Sequence, residues 1–173
     1  MGQKIHTKWS LEISTPAETR EWLGQGDAPA GDIRLLVDES PSESEKPYIE
    51  DSFLGYHLSK LLGETGELLN GNPIELDLDT STLRFELNDE LDAVEIHVDI
   101  HGVPDEVRNT EPDLIDKEAF VREIYQTGNS WFENAKEVNP ELMDVGWFQD
   151  LERSLREAKQ AIENTGISIK TDD

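Results

Sequence analysis

Four residues of one short stretch are the first that invite a chemical reading: Glu95, His97, Asp99 and His101 alternate with Val94, Ile96, Val98 and Ile100. A period of two is that of a β-strand, so all four polar side chains share one sheet face. Imidazole beside carboxylate is a donor set for divalent metals. A strand rises about 3.4 Å per residue, which sets the Cα atoms of His97 and His101 about 13–14 Å apart. One metal with bonds of about 2 Å cannot easily take both. His97 with Asp99, or Asp99 with His101, reaches a metal only if Glu75, Asp77 or Glu86 crosses from a neighbouring strand. The expectation is therefore no tight metal site and no cofactor, with the polar ladder read as a solvated sheet face.

Other constellations carry less. Asp77-Leu78-Asp79 matches a D-x-D pattern, but sixteen Asp in 173 residues produce about 1.5 such pairs by chance. A calcium loop starting at Asp77 would need Gly where Thr82 stands and Glu where Asn88 stands. Gly24, Gly26 and Gly31 follow a predicted helix and precede a predicted strand, the reverse of a dinucleotide loop. There is no phosphate-binding loop and no nucleophile elbow. With 39 acids, some carboxylate pair stands at any separation, so paired-acid chemistry has no signature here. His57, beside Leu58 and Leu61 on an apolar helix face, reads as a buried histidine rather than a base.

The aromatic residues offer a binding surface instead. Trp131-Phe132 and Trp147-Phe148 flank Pro140. Neighbours on a helix point about 100° apart, so each pair spans more than a narrow core stripe. If one ring of each pair faces the layer edge, the connection around Pro140 bears an apolar patch. Such a patch would hold a protein partner or a second copy of the chain, and a homodimer is the simplest use of it.

The elements that position these residues follow from the apolar spacing. Trp9, Leu11 and Ile13 form a first strand. Thr15-Pro16-Ala17-Glu18 fits a capping box opening a short helix to about Leu23. Ile33 to Val37 is a second strand, and residues 39–47 are a loop. Ile49, Phe53, His57, Leu58, Leu61, Leu62, Leu68 and Leu69 follow helical spacing, weakened at Gly63 and Gly66. Ile74–Leu78, Leu83–Leu87 and Val94–Ile100 form an antiparallel meander with one apolar and one acidic face. Residues 102–115 read as a connection. Asp116 caps a helix to Val138, with a kink or break at Gly128. A last helix runs from Trp147 to Thr165, closed by Gly166 and Ile167 as a left-handed cap and its apolar contact. The order β-α-β-α-β-β-β-α-α predicts one α+β domain over residues 1–173, a mixed, mainly antiparallel sheet with helices on one face.

Charge sets the solvent. Thirty-nine Asp and Glu against fifteen Lys and Arg give a formal net charge of −24, spread along the whole chain. Dilute buffer leaves that repulsion unscreened, whereas molar salt cuts the Debye length to about 3 Å. The composition resembles the acidic proteomes of salt-in halophilic archaea, which implies a high-salt cytoplasm. Absence of basic patches argues against nucleic acid. No apolar run approaches the roughly 20 residues of a membrane span. The opening MGQKIHTKWSLEI lacks an apolar signal core, and His6 stands where myristoylation wants Ser or Thr. Cysteine is absent, which removes disulfides and thiolate chemistry. The plan of a tryptophan-led strand, a leucine helix and an acidic meander resembles that of small immunity proteins of toxin systems, which implies a protein partner. The expected function is a small cytoplasmic interaction or regulatory module. The alternative is a metal-dependent hydrolase or lyase using the polar face of residues 93–101.

Overall fold

A computed structural model describes residues 5–7, 9–17, 19–27, 31–37, 48–52, 54–77, 81–100, 102 and 112–169. Its strands are β1 (Ile5–His6), β2 (Trp9–Ile13), β3 (Gly31–Val37), β4 (Tyr48–Ser52), β5 (Ile74–Asp77), β6 (Ser81–Asn88), β7 (Ala93–Ile100) and β8 (Asp113–Asp116). Its helices are α1 (Arg20–Gly24), α2 (Leu54–Gly63), α3 (Thr65–Leu69), α4 (Lys117–Val138) and α5 (Gly146–Asn164), with a 3-10 turn at Pro140–Asp144.

The fold is α+β, with helices packed against a mixed five-stranded sheet of order β1-β8-β7-β6-β5. Antiparallel pairing joins β5 to β8 in series, and β1 adds in parallel to β8. Alternation works as the sequence requires. Ile74, Leu76, Leu83, Phe85, Val94, Ile96 and Ile115 are buried on one face, while Glu75, Asp77, Arg84 and Asp99 stand exposed on the other.

The sequence suggests one sheet; the structure has two. β2, β3 and β4 form a separate antiparallel sheet of that order. It is tied to α4 through β2. The Trp9 ring stacks on Phe120 at 4.8 Å, its Nε1–H donates to the Ala119 carbonyl, and the Leu11 amide donates to Glu123 Oε2. Residues of β2 and of the five-stranded sheet share one hydrophobic core.

Several local expectations need correction. Residues 48–52 belong to a strand, because Tyr48 and Ile49 extend the β3 edge, and the helix begins at Leu54. Residues 113–116 are a strand within the expected connection; four residues are too few to display a period, and pairing with β7 and β1 decides them. α1 starts at Arg20, with Thr15, Pro16 and Ala17 in the preceding turn. α4 runs unbroken through Gly128. The loop expected at 39–47 lies outside the described residues.

Other signals operate as read. Asp116 caps α4 by accepting the Ala119 amide. Asn139 closes α4 and caps the Pro140 turn by accepting the Glu141 amide. Gly166 takes φ +85°, and the amides of Gly166 and Ile167 donate to Glu163 and Ile162, a Schellman end with Ile167 buried. The long apolar stretch divides at Glu64, so α2 and α3 meet α5 in turn. There the residues are small: the Ser59 and Ser154 hydroxyls lie 3.0 Å apart, and a Cβ at Gly66 would stand 3.1 Å from that of Ala161.

Candidate functional site

The acidic face of the five-stranded sheet gathers one compact group. Register sets Glu86 of β6 directly opposite Glu95 of β7, and Arg84 opposite His97. His97 Nε2 lies 2.9 Å from Glu95 Oε1 and 3.4 Å from Glu86 Oε2. Each carboxylate is also held at its other oxygen. Arg84 donates to Glu86 Oε1 at 3.2 Å, and Asn88 Nδ2 donates to Glu95 Oε2 at 2.9 Å. The Asn88 hydrogen bond, followed by His97, draws the Glu95 carboxyl below its usual range, against a partial desolvation that pushes it up.

The grouping differs from the one the sequence suggests. Glu86 is the residue that crosses from the neighbouring strand, and it joins Glu95 and His97 rather than Asp99. Asp99 stands further along the ladder opposite Thr82, and His101 lies outside the described residues. Nothing in the sequence marks Arg84 or Asn88 for this site. Their part depends on the strand register, which spacing in one strand does not carry.

The four aromatics do not build an edge patch. Trp131, Phe132 and Phe148 are buried and Trp147 is half-buried. Phe132 and Phe148 stack at 4.4 Å, and Trp147 meets Phe148 edge-on. The indole N–H groups find backbone partners, Trp131 at Ser14 and Trp147 at Gly26. Both members of the first pair are covered because β2 and the Ser14 turn close over α4 from one side and α5 from the other.

A shallow groove lies on that same side of α4, between the helix and the β2–α1 connection. It consists of two hollows of about 400 Å³ that share Thr15, Pro16 and Asn134. Its α4 wall carries the neutral polar side chains Gln126, Thr127, Ser130 and Asn134, with Trp131, Val138 and one carboxylate, Glu137, and Arg20 stands at the α1 end. Among the described residues, the side chains of Ser130, Asn134 and Arg20 make no hydrogen bond or ion pair. The run of uncharged polar residues at 126, 130 and 134 is visible in the sequence, but nothing there shows which face it occupies.

His57 is buried, with Nε2 3.3 Å from the Asp77 carbonyl. Gly26 takes φ +80° in the turn after α1, where its carbonyl accepts the Trp147 indole N–H. No helix among the described residues is long and apolar enough to cross a membrane. Compared with protein families, curated proteins and solved structures, the chain matches none.

Proposed function

We propose that this chain is a protein-interaction module of a high-salt cytoplasm, and that the groove along α4 receives its partner. The observation that carries this reading is the groove's lining in a chain of net charge −24. Along α4 it presents Gln126, Thr127, Ser130 and Asn134 with a single carboxylate, Glu137, while β2 adds Glu12 and α1 the guanidinium of Arg20. Proteins of a salt-adapted cytoplasm are themselves acidic, and like charge across an interface is costly. Contact therefore favours surface where neutral hydrogen-bonding groups replace carboxylates. The shallowness of the groove suits a segment of another protein better than a small molecule, whose sites enclose most of their ligand. The fitting partner offers a neutral polar and apolar strip with a carboxylate for Arg20. An immunity-like role, in which the module neutralises a second protein, is one form of this function.

The test is capture in molar potassium chloride by the wild type and by Ser130→Trp and Asn134→Trp, which fill the groove from exposed positions. A protein retained by the wild type is then purified and its binding remeasured. The expectation is at least about a tenfold loss in both variants, as for a central interface position. Equal binding by all three chains, or no partner at all, would overturn the reading. Light scattering of the wild type alone decides whether the partner is a second copy.

A further inference from the structure

We propose that Glu86, Glu95 and His97 form a binding site for a first-row divalent cation such as Mn²⁺ or Zn²⁺. The first support is geometric. Two metal–ligand bonds of about 2.1 Å that meet at octahedral or tetrahedral angles set their ligand atoms about 3.0 or 3.4 Å apart. The separations of His97 Nε2 from Glu95 Oε1 and Glu86 Oε2 are 2.9 and 3.4 Å. The ligand atoms of all three residues lie within 4.8 Å of one another. The two edges of this triangle that meet at His97 therefore match the ligand spacing of a bound cation.

The second support is how the carboxylates are aimed. Arg84 and Asn88, neither of them a ligand, each hold the outer oxygen of one carboxylate. That leaves Glu86 Oε2 and Glu95 Oε1 turned inward on the imidazole. Outer partners of this kind fix ligand orientation in metal sites and tune their affinity. The ligands also stand on two paired strands near the middle of the sheet, a more rigid base than a loop.

The third support is the register. Glu86 and Glu95 are directly opposite, a pairing that destabilises a sheet unless a positive charge joins it. Arg84 offsets Glu86 from its outer oxygen; between the two carboxylates, His97 supplies positive charge only when protonated, whereas a divalent cation supplies it with His97 neutral. One imidazole and two carboxylates select first-row metals over Mg²⁺ and Ca²⁺, which prefer oxygen alone. The remaining positions on the cation face solvent and would carry water. The inference concerns binding and is independent of the groove on α4.

The test uses the full chain in molar potassium chloride, stripped with chelator and titrated with Mn²⁺ while water-proton relaxation is followed. The expected result is saturation at one equivalent, with Mn²⁺ broadening the ring signals of His97 and not those of buried His57. His97→Ala and Glu86→Gln should each weaken binding about tenfold or more, and Asn88→Ala about tenfold through the aim of Glu95. Asp77→Asn, on the same face but beside Thr82 rather than Arg84 or Asn88, should bind as the wild type does. Circular dichroism of each variant separates lost binding from lost fold, and the His97 signals test the wild type without any substitution. Binding that does not saturate, that leaves the His97 signals sharp, or that Asp77→Asn reduces as much as Glu86→Gln would overturn the site in favour of a diffuse counter-ion layer.

Discussion

Gly128 of α4 lies against Leu62 of α2 so closely that a Cβ built on it would stand 2.9 Å from Leu62 Cδ1 and 3.4 Å from Cγ. Both residues are buried. The glycine therefore serves helix-to-helix approach, not a kink. Gly128→Ala would improve helix propensity by about 1 kcal/mol, but overpacking a closed core costs about 1–3 kcal/mol. We expect a net loss of about 1 kcal/mol in the wild type. In the Leu62→Ala background the clash is gone, and the same change should stabilise by about 1 kcal/mol. Denaturant unfolding of the four chains in molar salt measures the coupling, and simple additivity would contradict the contact.

Stability should rise with salt. Several ion pairs among the described residues, such as Lys60–Glu64, Arg122–Glu118 and Arg153–Asp150, lie within one helix and reach solvent, a kind that contributes little. With all fifteen Lys and Arg counted, the −24 charge stands uncompensated. Thermal midpoints followed by circular dichroism should increase steadily from low to molar potassium chloride as screening tightens. A midpoint independent of salt would remove the high-salt reading.

The Glu95 carboxyl should titrate below its ordinary value of 4.5, with Asn88 as the larger cause and His97 the smaller. A depressed carboxyl favours the folded state once ionised. Its contribution is therefore present above the ordinary carboxylate range and disappears as pH falls through the lower folded value. Carbon-detected NMR titration should show the Glu95 midpoint moving up in Asn88→Ala. An unchanged midpoint would mean that the amide does not hold the carboxylate.

The aromatic cluster at the α4–α5 connection should behave as core. Phe148→Ala removes a fully buried ring stacked on Phe132 and should cost about 3–5 kcal/mol. Trp147→Phe keeps most of the ring contact but deletes the donor to the Gly26 carbonyl, for a loss of about 1 kcal/mol. If Phe148→Ala left stability unchanged and altered only association, the rings would be interface and not core.

The amino-acid sequence by itself determined the elements whose signals are local. The meander from Ile74 to Ile100 is legible because one apolar and one wet face impose a strict period of two. Asp116 and Gly166 mark helix ends because each satisfies backbone groups within a few residues, and Pro140 marks the end of α4 because it cannot continue a helix. The acidic balance is a matter of counting. What only the tertiary structure decided depends on partners distant in sequence. Leu114 and Ile115 become a strand because β7 and β1 lie on either side. Trp9 to Ile13 joins β3 rather than the larger sheet, and its edge then closes over Trp131. Glu86 meets Glu95 and His97 through strand register, while Gln126, Ser130 and Asn134 line a groove because the Thr15–Ala17 turn faces them. Periodicity states which side of an element is apolar; which other element meets that side is fixed by packing, where all the apolar faces must be buried at once.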